Sequence, residues 1–256
     1  MPVVVEPPNG SVVTDVVGSA ALPLPAEFLG GAALRDKVVT AAEAVRLIRD
    51  GDAVVVEGFV GQGFAEELTL ALENRFLLTG TPRNLTAVFT VASGDRKGRG
   101  LDRLCHEGLL AKAIGGHWGL SPALGKMAVG NRIEAHNLPQ GVVSQLFRDT
   151  AAGKPGLITR VGLGTFVDPR NGGGKINERT TEDRVELIML DGQEYLFYKA
   201  LPLDVAFLRG TPRTPRATSP WSARPSPWRL VRRPPPCTTR AVWSSCRSNG
   251  SPTAGV

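Results

Sequence analysis

Cysteine is scarce in this 256-residue chain, with Cys105 in the body and only Cys237 and Cys246 near the C-terminus. That excludes a disulfide framework or a cysteine-based zinc cluster and suits a reducing, cytoplasmic setting. Long apolar runs are missing as well. None approaches the roughly 20 residues needed to cross a bilayer, so no membrane span is expected. The opening MPVVVEPPNG lacks the basic lead and apolar stretch of a secretory signal. His106, His117 and His136 have no metal-ligand spacing, and no metal site is expected. Lysine, aspartate and glutamate are all absent from the last 46 residues, Thr211 to Val256, whereas arginine occurs eight times there and proline nine. Without that stretch, 22 basic residues face 24 acidic ones, so the formal +6 divides into +8 on the tail and −2 on the body.

Three segments follow from these contrasts. Residues 1–35 form a Pro/Gly-rich N-terminal extension, residues 36–210 one domain, and residues 211–256 an Arg/Pro-rich tail. A domain of about 175 residues buries roughly 70% of its unfolded-chain surface, enough for a real core. Both terminal segments are expected to be disordered; in the tail, low hydrophobicity and frequent proline oppose regular structure.

The body alternates helical and strand-like patterns. Thr40-Ala-Ala-Glu43 is a capping box opening a helix with Ala44, Val45, Leu47 and Ile48 on one face. Strands are expected at 53–57, 85–91, 111–116, 132–137, 156–161 and 205–208, and helices at 65–78, 122–129 and 141–152. A hairpin is expected to turn at Asp191-Gly192. Strands separated by helices imply an α/β fold with a largely parallel sheet flanked by helices.

The strongest local signal is a strand, then Gly58-Phe59-Val60-Gly61-Gln62-Gly63, then a helix. Glycines let the backbone approach a ligand, and N–H groups at a helix start face an anion or developing negative charge. Its G-x-x-G-x-G spacing is not a dinucleotide fingerprint; a tight turn with no ligand is the plainer alternative. Glu66 and Glu67 read as dipole-favouring residues of a first helical turn. Cys105 and His106 point about 100° apart on a helix and make a poor catalytic pair. The glycine-dense segment from Gly162 through Gly164 and Thr165 to Gly174 reads as a functional or disordered loop. Asn137 to Gly141 is a further strand-to-helix junction, placing Gln140 at the carboxyl end of the sheet, where ligands bind in such folds.

GDAVVVEGFVGQGFAEEL, the segment from His106 to Asp149, and KPGLITRVGLGTFVDPRNGGGKINERTTED resemble the acyl-CoA:acetate/3-ketoacid CoA-transferases, most nearly the propionate CoA-transferase type. The resemblance runs from Lys37 to Thr211 and covers the first half of such an enzyme. It implies the CoA-transferase architecture, which sugar-phosphate isomerases share, and a ping-pong reaction between an acyl-CoA and a short-chain carboxylic acid. There, a glutamate attacks the thioester, and CoA passes through a glutamyl-CoA thioester to the second acid. The coenzyme A thioester is a substrate, and no tightly bound cofactor is implied. By resemblance, Gly58, Phe59, Val60, Gly61, Gln62 and Gly63 line the substrate site with Gln140, Gly162, Gly164 and Thr165. The nucleophilic glutamate belongs to the second half and has no match here, so catalytic residues are assigned to none. A C-terminal half or equivalent subunit is the implied partner, in a homo-oligomer when complete, and the chain alone is expected to be inactive.

The genetic code permits codons for 218–225 and 242–250 whose shifted frame reads as family-like helix and strand. A one-base frame slip in the gene or its sequencing is therefore one origin for the tail. The alternative is a non-enzymatic α/β domain whose basic, tryptophan-bearing tail binds nucleic acid, with Arg neutralising phosphates and bases stacking on Trp221, Trp228 and Trp243. The isomerase chemistry of the same architecture is a third reading.

Overall fold

The computed structural model describes residues 3–5, 38–59, 61–210 and 240–245. Two short strands, β1 (Val3–Val5) and β2 (Val38–Val39), precede the first helix. At the capping box, Thr40 Oγ1 accepts from the Glu43 N–H at 3.2 Å and the Glu43 carboxylate accepts from the Thr40 N–H at 2.8 Å. This opens α1 (Ala41–Ala44), which tightens into a 3₁₀ turn over Val45–Leu47. β3 (Ala53–Val56) is buried at every position, as a parallel strand covered on both faces must be. α2 (Glu66–Thr79) buries Leu68, Thr69 and Leu72 and ends at Gly80, whose left-handed φ of 70° lets its N–H cap Phe76 O.

β4 (Leu85–Val91), a 3₁₀ turn (Gly100–Leu104), β5 (Leu110–His117), α3 (Pro122–Val129) and β6 (Glu134–Asn137) follow. α4 (Gln140–Ala151) buries Val142, Val143, Leu146, Asp149 and Thr150, the one-sided spacing of a 3.6-residue period. β7 (Gly156–Thr159), β8 (Val185–Leu190), β9 (Gln193–Lys199), β10 (Val205–Gly210) and β11 (Arg240–Ser245) complete the described chain.

The main sheet runs β2-β1-β11-β10-β3-β4-β5-β6, parallel from β11 to β6. One face carries α1, α2, α3 and the 100–104 turn over Val54, Val56, Phe89 and Phe207. The other carries α4 and a separate antiparallel sheet, β7-β9-β8, over Val55, Val88, Ile114 and Ala206. Each fully buried leucine in these layers contributes roughly 2 kcal/mol of transfer free energy.

Two expectations change. The 156–161 strand leaves the parallel sheet and pairs antiparallel with the hairpin, whose turn at Asp191 and Gly192 takes the positive φ values, 48° and 73°, of a type I′ turn. Strands also occur inside both segments read as disordered: β11 pairs with β10 in parallel, and β1 pairs antiparallel with β11 and β2. Residues 240–245 lie within the longest proline- and glycine-free stretch of the tail, Cys237 to Asn249, and the free edge of β10 supplies the ladder they complete. The rest of both terminal segments, including Trp221 and Trp228, lies outside the described residues.

Candidate functional site

From β3 the chain winds outward through β4, β5 and β6, and it then returns to lay β10 against the opposite side of β3. The order reverses between β3 and β10, and a ligand in an open parallel sheet binds at the carboxyl ends beside such a reversal. The return is anchored at the other end of the strands, where Asp204 Oδ2 accepts from the Ala53 N–H at 2.9 Å.

The glycine turn leaves β3 at that crevice. Phe59 and Gln62 exchange backbone hydrogen bonds of 2.8 and 3.0 Å, folding the turn back on itself. Their N–H groups are therefore engaged with each other, so any donation to a ligand falls to other N–H groups nearby. Phe59 is 69% exposed, Gly61, Gln62 and Gly63 are exposed, and Val60 lies outside the described residues. Gly58 has no room for a side chain: a Cβ there would stand 2.6 Å from Phe64 Cβ and 3.0 Å from Ser93 Cβ. Glycine therefore lets the root of the turn press against Phe64, just ahead of α2, and Ser93, just after β4.

Immediately before the turn is a residue that sequence reasoning left as the end of a strand. Glu57 Oε1 accepts from the Thr90 N–H at 2.8 Å and Oε2 from the Thr90 hydroxyl at 2.7 Å. Burial pushes its carboxyl up to about 7, against the opposing effect of those two hydrogen bonds. The available signal was an acidic residue ending an unbroken Val-Val-Val run.

Across Gly116 from Thr90 stands the start of α4. A Cβ on Gly116 would meet Thr90 O at 2.6 Å and Gln140 Cα at 2.8 Å. Gln140 is exposed at the first position of α4, so Glu57, Thr90, Gly116 and Gln140 form an arc across the ends of β3, β4 and β5. With its amide nitrogen turned toward the carbonyls that surround it, Asn137 secures the junction by donating to Gly116 O at 2.7 Å and Gly115 O at 3.2 Å.

The 162–174 segment is tied to the end of β6, where the Asn137 N–H donates to Gly174 O at 2.7 Å. Asp168, wholly buried, organises it by accepting from the Gly164 N–H at 2.9 Å and from Arg170 Nη2 at 2.7 Å and Nε at 2.9 Å. The Arg170 guanidinium and these N–H groups hold the Asp168 carboxyl far below the usual carboxylate range. Arg170 also grips Glu194 of β9 through two 3.0 Å bonds. Gly162 packs against the Tyr198 hydroxyl, which donates to Val161 O at 2.8 Å. Thr165 Oγ1 donates back to Gly162 O at 2.7 Å. The long loop is thus hydrogen-bonded throughout, and its exposed Phe166 is presented by a fixed frame.

Other candidates resolve into structural roles. Glu66 accepts from Arg103 Nε at 2.6 Å, the Gly100 N–H at 2.8 Å and Arg99 Nε at 3.2 Å, fastening α2 to the 99–104 segment. Cys105 donates to Leu101 O while His106 bonds Glu73 at 2.9 Å, so the two are not paired with each other. Burial pushes the Cys105 thiol up to about 12, which keeps it protonated at neutral pH. Among the described residues no cluster of three or more His, Cys, Asp or Glu could hold a metal ion, and no helix is long and apolar enough to cross a membrane.

Known proteins share this arrangement. The caffeate CoA-transferase of Acetobacterium woodii is 50% identical over 175 residues, covering 68% of this chain and 33% of that protein. The acetate CoA-transferase YdiF of Escherichia coli K12 is 47% identical over 179 residues, covering 69% and 34%. The chain thus spans about a third of the length of these curated relatives. The alpha subunit of the E. coli K12 acetate CoA-transferase is 28% identical over 177 residues and is covered to 70% of its length. Among solved structures, the acyl-CoA transferase YdiF of E. coli O157:H7, in a thioester complex with CoA, superposes with a TM-score of 0.66 at 46% identity, covering 68% of this chain and 34% of that one. Residues 38–217 match the family described as Coenzyme A transferase, and with the fold in agreement, the chain belongs to that family.

Proposed function

We propose that this chain forms the first half of an enzyme that moves CoA between an acyl-CoA and a short-chain carboxylic acid, of the propionate CoA-transferase type and working in the cytoplasm. The observation that carries this reading is the glycine turn at the reversal point of the sheet, within a segment up to 50% identical to CoA-transferases. Gly58 to Gly63, Gln140 and the Gly162–Thr165 loop are the substrate-facing segments, with residues 36–210 as the working domain.

In the proposed reaction, a glutamate of a second half or subunit attacks the acyl-CoA carbonyl carbon, and CoA thiolate leaves. The thiolate then attacks the glutamyl carbonyl of the resulting anhydride and releases the first carboxylate. The second acid takes up CoA by the reverse steps. This chain's share is to supply backbone donors and a shaped wall around the reacting carbonyl. That a relative of similar length is named as an alpha subunit supports a partner chain carrying the nucleophile. The Arg/Pro-rich stretch from Thr211 is read as an out-of-frame translation, on composition and codon compatibility; the locus sequence around the Thr211 codon tests that part separately.

The functional test measures CoA exchange between acetyl-CoA and propionate by mass spectrometry, with this chain alone and with a separately produced second half from a relative. Exchange only in the mixture is expected. Rapid exchange by this chain alone, or a CoA adduct trapped on one of its own glutamates, overturns the division of labour.

A further inference from the structure

Glu57 is an acidic side chain at the mouth of a site whose proposed substrates are themselves anions. Its partners are fixed. The β3–β4 register sets Val55 opposite Val88 and so brings Glu57 level with Thr90, which meets both carboxyl oxygens. On its other side, one step beyond the Val56–Phe207 pair, the neighbour on β10 is the apolar Leu208. From α4, across Gly116, come Gln140 and Gly141, neither of them charged. Glu66, in the first turn of α2, is held by Arg99, Arg103 and the Gly100 N–H. No cation stands against Glu57 among the described residues, and no charged group contributes to the displacement of its carboxyl.

We infer that Glu57 is a proton-coupled positioning residue of this site: a carboxylate ligand enters the crevice at the ends of β3 and β4 together with one proton, which Glu57 takes from water. This deepens, and rests on, the transferase reading above. The reasoning is electrostatic. Two carboxylates sharing a poorly solvated site cannot both stay ionised, and the resident one, already ill solvated, is the one to accept the proton. Protonated on Oε2, Glu57 donates to Thr90 Oγ1, and that hydroxyl's own hydrogen is released from the carboxyl; the Thr90 N–H bond to Oε1 persists. The balance is one water-derived proton taken up per ligand bound, with no bond to carbon made or broken. Burial setting the carboxyl near neutrality means that the uptake falls within the physiological range.

The test uses this chain with propionate and, in parallel, CoA, each titrated by calorimetry between pH 6 and 9, where propionate stays ionised. For the unaltered chain, the propionate Kd is expected to rise about tenfold per pH unit once pH passes Glu57's free-state value, the slope of one linked proton. Repeating the titration in buffers of different ionisation enthalpy should reveal one proton absorbed. Glu57→Gln, which can still accept from the Thr90 N–H and donate to its hydroxyl, should bind propionate with a nearly pH-independent Kd and no proton uptake. An equal pH slope in both proteins overturns the role of Glu57. CoA binding with no propionate binding at any pH also overturns it but leaves the transferase reading standing. Failure of both ligands to bind overturns the proton-coupled site on this half, while the exchange assay with a second half decides the transferase reading by itself.

Discussion

Replacing Glu57 by Gln should alter the stability of the unliganded chain in a pH-dependent way. In the fold, burial raises the carboxyl from 4.5 to about 7. The folded state therefore holds the proton more tightly than the unfolded chain, and stability declines as pH rises from the unfolded value through the folded one. The stabilising contribution is fully present below about pH 4.5 and gone above about pH 7. A displacement of that size corresponds to at most about 3 kcal/mol at 1.36 kcal/mol per unit, less whatever solvent reaches this partly buried residue. Glutamine carries no such dependence but exchanges charge-assisted bonds for ordinary ones, a loss of about 1 kcal/mol. Glu57→Gln is thus expected to be neutral or slightly destabilising at pH 5 and stabilising by about 1–2 kcal/mol at pH 8. In a domain of this size that is a rise of roughly 3–6 °C in Tm. Urea unfolding followed by circular dichroism at the two pH values measures the difference directly. A Gln variant whose stability relative to the parent is the same at pH 5 and pH 8 would refute the claim that Glu57 is buried against its charge.

Three further changes probe the frame around the site. Tyr198→Phe removes the donor to Val161 O, and thermal unfolding should register about 1 kcal/mol, a fall of roughly 2–4 °C. Gly58→Ala forces a methyl into Phe64 and Ser93 and is expected to cost about 1–3 kcal/mol in chemical denaturation, with faster proteolysis at the adjoining turn. Asp168→Asn should lower Tm at pH 7 and speed hydrogen exchange across residues 162–174. Because the folded Asp168 carboxyl lies far below its unfolded value, its contribution is present above the ordinary carboxylate range and is lost only as pH falls through the folded value. The difference between parent and variant should therefore persist at pH 5; its disappearance there would count against the Arg170 clamp.

Local chemistry made much of the architecture readable. The Thr40–Glu43 box, the proline at the start of α3, the β-branched run of β3 and the Asp191-Gly192 turn each carry their own stereochemical instruction, and each forms where expected. What sequence could not convey is which strands become neighbours. The 156–161 run has the same composition whether it joins a parallel or an antiparallel sheet; its placement is decided by β9, forty residues on. The glycine-dense 162–174 segment was legible as special, but its rigidity depends on Asp168 finding Arg170 and Glu194. Glu57 escaped notice for a related reason: an acid after three valines has no distinctive spacing, and its chemistry appears only when Thr90 arrives on the next strand.

The bond between Ala53 and Asp204 joins positions 151 apart in the chain. Until the ribosome has delivered that second residue, β3 has one flank bare and the crevice has one wall, so the nascent domain cannot shield its central strand. Closing so wide a loop is slow compared with forming the helices between its ends. From the completion of β6 at Asn137 until β10 emerges at Val205, a cell making this protein must therefore shelter a sheet whose central strand is paired on one side only.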